Sequence, residues 1–148
     1  MVDRFVRQGR EYVVVVRAGH VPAGGIEFFT PPDYSQQMGA MLRPAGHVIP
    51  AHVHNETHRE VTRTCEALFV RRGRVRTDVY DEAGAYLGGL DLGPGDVALF
   101  VRGGHGFTML EESDIVEIKQ GPHVGDSDKT RIPCVADEDR CPHGDSDA

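Results

Sequence analysis

The sequence predicts an all-β protein, a sandwich or barrel of short antiparallel strands. About ten short runs, mostly apolar, β-branched or aromatic, succeed one another along 148 residues. Turn residues fill the gaps between them, the pattern expected when strands reverse direction every few residues. Eighteen glycines and nine prolines fit many tight turns, and no stretch carries a helical apolar period.

The runs follow in order. Residues 12–17 (YVVVVR) are β-branched; residues 25–30 (GIEFFT) are apolar and aromatic and stop at Pro31-Pro32. Residues 37–43 and 47–54 are divided by Pro44-Ala45-Gly46. Then come 66–71, 74–80, 86–92, 97–102, 105–110 and 115–120. Their turns are Arg72-Gly73, residues 81–84, Gly93-Pro94-Gly95-Asp96, Gly103-Gly104 and residues 111–114. Two stretches are irregular. Residues 55–65 (NETHREVTRTC) are polar and basic, and lie between two strands. Residues 126–148 hold seven Asp/Glu against three Lys/Arg and read as an acidic, partly ordered tail beyond a single domain over residues 1–125.

Composition narrows the function. The net charge of −7 argues against nucleic acid as a partner. Apolar runs such as Val13 to Val16 are far short of the roughly 18 residues that span a bilayer, so no membrane role is expected. The N-terminal residues lack the apolar stretch of a signal peptide. Three cysteines (Cys65, Cys134, Cys141) are too few and too scattered for a disulfide framework, which points to a reducing cytoplasm. Cys134, Cys141 and His143 match no common zinc spacing and read as exposed tail groups.

The chemistry concentrates on histidines. His52 and His54 stand two apart in a predicted strand, so both imidazoles point to one face. Imidazole is the commonest metal ligand among side chains. Glu66 opens the next apolar strand on the parity of Leu68 and Val70, and a buried carboxylate needs a cationic partner. His105 follows two glycines, with Phe107 and Met109 on its face. Three imidazoles and a carboxylate suit one divalent transition metal per chain, Fe(II) first, with Zn(II), Mn(II) and Ni(II) as alternatives.

Gly46, His52 and His54, followed by Glu66 and Gly73, make the chain resemble the cupins. The first motif of that family runs G-x5-H-x-H-x(3–4)-E-x6-G. Gly88 and Pro94-Gly95 approximate the second motif, and His105 takes the place of its histidine. The resemblance covers about residues 37–120 and implies a double-stranded β-helix, or jelly roll, with His52, His54, Glu66 and His105 as metal ligands. The chain departs from the pattern twice. Eleven residues separate His54 from Glu66, which makes Glu60 a rival ligand, and Met109 stands where the family has asparagine.

Arg59 and Arg63 lie in the inserted stretch. Guanidinium groups pair with carboxylate or phosphate, so these two read as holding a small anionic substrate, the alternative being a solvated loop. Phe107 and Met109 would shape the pocket, and Lys119 on the last strand could reach its mouth. His47 has the wrong parity and faces out, His58 is a lid or outer-shell candidate, and His20 and His123 read as surface residues. Arg71, Arg72, Arg74 and Arg76 read as surface or dimer-edge charges.

The expected function is a mononuclear cupin enzyme acting on a small polar anionic metabolite, first an Fe(II)-dependent oxygenase. Redox-neutral alternatives are a sugar-phosphate or sugar-nucleotide isomerase or epimerase, or a zinc cupin rearranging amino-acid-derived substrates in natural-product pathways. A non-enzymatic ligand-binding or sensor module is a further one. Residues 12–16 could pair with a neighbour's sheet edge, so a homodimer is expected.

Overall fold

A computed structural model describes residues 1–122 and 125–133. Ten strands and one short 3-10 turn make up its regular structure among these residues, and none of it is α-helix. The all-β expectation holds. The strands are β1 (Val2–Arg7), β2 (Arg10–Val16), β3 (Gly25–Phe28), β4 (Gly39–Leu42), β5 (Glu66–Arg72), β6 (Val75–Tyr80), β7 (Tyr86–Leu92), β8 (Val97–Phe100), β9 (Gly104–Met109) and β10 (Asp114–Lys119). They form a five-stranded sheet, β1-β2-β8-β5-β10, a three-stranded sheet, β7-β6-β9, and a separate β3–β4 hairpin. Every pairing is antiparallel.

The two larger sheets pack face to face as a sandwich. Val13 and Val15 of β2, Leu68 and Val70 of β5, Ala98 and Phe100 of β8 meet Val75 and Val79 of β6 and Leu92 of β7 in one buried cluster. These positions alternate along their strands, which aims each at the facing sheet. A smaller cluster on the other side of the five-stranded sheet joins Cys65, Leu99 and Val101 to Tyr34 and Met38.

An ionic tie locks one end of the sandwich. The Asp96 carboxylate accepts hydrogen bonds from the Gly93 and Ala18 N–H groups at 3.0 and 2.9 Å and from Arg17 Nη1 at 2.8 Å. Arg17 also donates to Asp3 at 2.6 Å and to the Asp91 carbonyl at 2.8 Å. Burial alone would raise the Asp96 carboxyl; the two backbone donors and the guanidinium outweigh it and hold the group below its usual range. The predicted Gly93–Asp96 turn is therefore also a clamp between the β7–β8 turn and the end of β2.

Three sequence expectations change. First, β1 went unrecognised. Gln8 and Gly9, both with positive φ (51° and 72°), make the tight turn that pairs it with β2. Second, residues 12–16 are no free edge: β2 lies between β1 and β8, and the free edges of its sheet are β1 and β10. Third, residues 47–54 form no strand. Pro50 removes a donor from the middle of the run, and no neighbouring strand pairs with it. Every residue from 41 to 64 is exposed, including Val48, Ile49 and Val53, so this stretch is an arm leaving the β3–β4 hairpin. Of the predicted tail, residues 134–148, with Cys134, Cys141 and His143, lie outside the described residues, as does His123.

Candidate functional site

Glu66 and His105 meet across the sandwich. Glu66 begins β5, paired with Phe100 of β8 and Lys119 of β10, and shares the inward parity of Leu68 and Val70. His105 stands second in β9, opposite Val79 of β6. Its Nε2 lies 3.5 Å from Glu66 Oε1, with both side chains largely buried. The Phe100 and Phe107 rings sit 4.5 and 5.0 Å from the imidazole, one from each sheet. His105 holds the Glu66 carboxyl below its ordinary value by hydrogen bonding, against the opposing effect of burial, and the charges of Lys119 and Lys129 add to it.

Thr77 extends the polar interior, a residue the sequence reading passed over. It is fully buried on the parity of Val75 and Val79, in register with Phe107, and its hydroxyl makes no hydrogen bond. A polar atom inside an apolar sandwich is costly unless something accepts or donates to it. A threonine between two inward-facing valines was the available signal.

His52 and His54 form a second, separate pair. Their rings stand 5.3 Å apart, edge to face, and His52 Nδ1 is 2.9 Å from the Pro50 carbonyl oxygen. The two rings touch, but on an exposed arm without strand structure, which also carries Arg59, Glu60 and Arg63. Among the described residues no three His, Cys, Asp or Glu side chains converge as a metal site. Two donors do not hold an ion that takes four to six ligands. As placed, then, the four residues fit a metal in donor type and not in geometry.

The remaining candidates divide. Phe107 packs on His105, whereas Met109, at the far end of β9, is exposed. Lys119 acts on Glu66 and pairs with Glu117 at 3.5 Å. His20 is not the bare surface residue expected: its Nε2 is 3.1 Å from Glu27 and its ring meets Phe29 edge-on. Arg71, Arg72, Arg74 and Arg76 make surface ion pairs with Asp114, Glu112, Asp91 and Asp78. A shallow groove of about 440 Å³ at the base of the β3–β4 hairpin, lined by Leu42, Arg43 and His47, lies apart from the Glu66–His105 pair.

Fold and site together define an antiparallel β-sandwich with a carboxylate–imidazole pair between its sheets. No family model, curated protein or solved structure matches the chain. Among the described residues no helix is long and apolar enough to cross a membrane.

Proposed function

We propose that this protein is a cupin-type, metal-dependent enzyme acting on a small polar anionic metabolite, with a centre completed when the His52–His54 arm closes on Glu66 and His105. The observation that carries this reading is that each half is already a pair: 3.5 Å between Glu66 and His105, and 5.3 Å between the rings of His52 and His54. Two features make closure feasible. The twelve steps from His54 to Glu66 span up to about 40 Å when extended, several times the roughly 10 Å between packed sheets. The three-stranded sheet ends at β9, whose outer edge is unpaired among the described residues. A jelly roll carries eight strands in two sheets, and residues 47–54 along that edge would supply the fourth strand of the smaller one.

A divalent ion held there, Fe(II) first and otherwise Zn(II), Mn(II) or Ni(II), would supply Lewis acidity or dioxygen chemistry. This chain's own groups would do the rest. With Glu66 and His105 holding the ion, Thr77 would offer a buried hydroxyl, Phe100 and Phe107 would exclude water, and Arg59, Arg63 and Lys119 would attract the anionic group. A homodimer, if formed, would pair through the free edges β1 or β10 of the larger sheet rather than through residues 12–16, and light scattering checks it.

Equilibrium dialysis against each metal, Fe(II) under anaerobic conditions, tests the centre. One ion per chain is expected, lost alike in His52→Ala and His105→Ala and retained in Glu60→Gln. Retention in His52→Ala would overturn the two-halves assembly. Failure of the unaltered protein to take up stoichiometric metal would leave the second reading, acid–base chemistry by Glu66 and His105 alone, which their close approach favours.

A further inference from the structure

The open end of the β3–β4 hairpin forms a groove of its own. Gly25 at the start of β3 pairs with Leu42 at the end of β4, which sets residues 24–25 beside residues 42–43. Beyond Arg43 the chain turns back at once. Gly46 has φ at 79°, and the His47 N–H donates to the Pro44 carbonyl oxygen at 3.2 Å, which closes the turn. The turn returns His47 to the hairpin. Gly24, Gly25, Leu42, Arg43, Pro44 and His47 then line one groove of about 440 Å³, within the size range of small-molecule sites.

Two glycines keep the groove open. Gly24 and Gly25 have φ at 123° and 68°, a backbone path that costs other residues strain. A Cβ on Gly24 would point into open space, and one on Gly25 would stand 3.3 Å from Arg43 Nη1. The floor is bare backbone, and the guanidinium lies over it.

The lining has two chemistries. Leu42 and Pro44 are apolar, Arg43 and His47 are basic, and no carboxylate is among the lining residues. Glu27, the acid within the hairpin's strands, is engaged by His20 at 3.1 Å. In a chain of net charge −7, such a lining is set apart. A guanidinium and an imidazole beside apolar walls complement a carboxylate joined to an apolar group. A wholly polar anion would leave Leu42 and Pro44 uncovered, and a neutral apolar molecule would make no use of the guanidinium.

We propose that this groove is a binding site, separate from Glu66 and His105, for a small carboxylate that carries an apolar group. Arg43 and His47 take the carboxylate, and Leu42 and Pro44 cover the apolar part. The site does not depend on the metal reading above.

Ligand-observed NMR tests it, with hexanoate and benzoate as probes and acetate and hexanol as controls. At least one probe should bind about fivefold more tightly than either control, the scale of one well-formed surface ion pair. Arg43→Ala should weaken that probe by about the same factor, and Leu42→Ser should weaken it as well. Both residues are exposed, so the fold should survive the changes, which circular dichroism checks. Equal binding of hexanol, or binding indifferent to Arg43→Ala, would remove the role of charge and overturn the proposal. Loss of binding in His105→Ala with retention in Arg43→Ala would put the ligand between the sheets and overturn it too. So would failure of both probes to bind.

Discussion

His105 Nε2 lies 3.5 Å from Glu66 Oε1, and the two side chains reach each other from different sheets. The pair is a site and also a tie across the sandwich at the start of β5 and β9.

The arm is exposed at every residue from 41 to 64. Trypsin should cut first after Arg59 or Arg63, both exposed in a stretch without regular structure, and mass spectrometry of the first fragments identifies the sites. Adding the metal that the protein binds should slow these cuts severalfold, because closure removes the arm from solvent. First cuts elsewhere, or no protection by a bound metal, would count against closure.

Thr77→Val replaces a buried hydroxyl that makes no hydrogen bond with a methyl group of similar size. The substitution should stabilise the unliganded protein by about 1 kcal/mol, since it removes an unsatisfied polar atom, and urea denaturation measures this. It should also weaken binding of any ligand that uses the hydroxyl. A loss of stability would show that the hydroxyl is satisfied in solution.

Asp96→Asn keeps the shape of the clamp and removes its charge. A loss of about 1–3 kcal/mol is expected at pH 7, the scale of hydrogen bonds to a charged group. The sign of the pH dependence follows from the lowered carboxyl of the folded state. The unfolded chain takes up its proton first, near pH 4, so the contribution is complete above that value and is lost as pH falls through the lower folded value. The stability gap between the unaltered protein and the Asp96→Asn variant should therefore narrow as pH falls below about 4. A gap independent of pH would assign the effect to packing.

Gly103 turns the chain into β9 with φ at +69°, and a Cβ there would stand 2.2 Å from the Tyr80 carbonyl oxygen. Gly103→Ala should cost at least about 1–3 kcal/mol and displace His105, two residues on. Gly93→Ala, with open space around its Cβ position, is the control and should change stability by less than about 0.5 kcal/mol. Comparable thermal midpoints for the two variants would remove the strain argument.

Most strands were legible because their signals are local. Alternation in residues 66–71 and 74–80 and turn residues between runs depend only on neighbours in the chain, and β5 and β6 lie where those signals put them. The same parity put Glu66 and His105 inside. Residues 47–54 misled for a physical reason. A strand is completed by hydrogen bonds to another strand, and a local pattern interrupted by Pro50 does not create that partner. β1 was missed in the opposite way: Val2–Arg7 alternates weakly, and its pairing with β2 supplies what the pattern lacks.

By itself, then, the sequence determined an all-β chain and the inward face of Glu66 and His105, because both follow from the two-residue period of extended backbone. Only the tertiary structure decided that these two and His52 with His54 make two pairs rather than one cluster, that Asp96 clamps Arg17 to two turns, and that Ile132 seats between Gly84 and Gly104. Those contacts join residues up to 79 positions apart along the chain, or across two sheets, and no local pattern encodes which distant surfaces will meet.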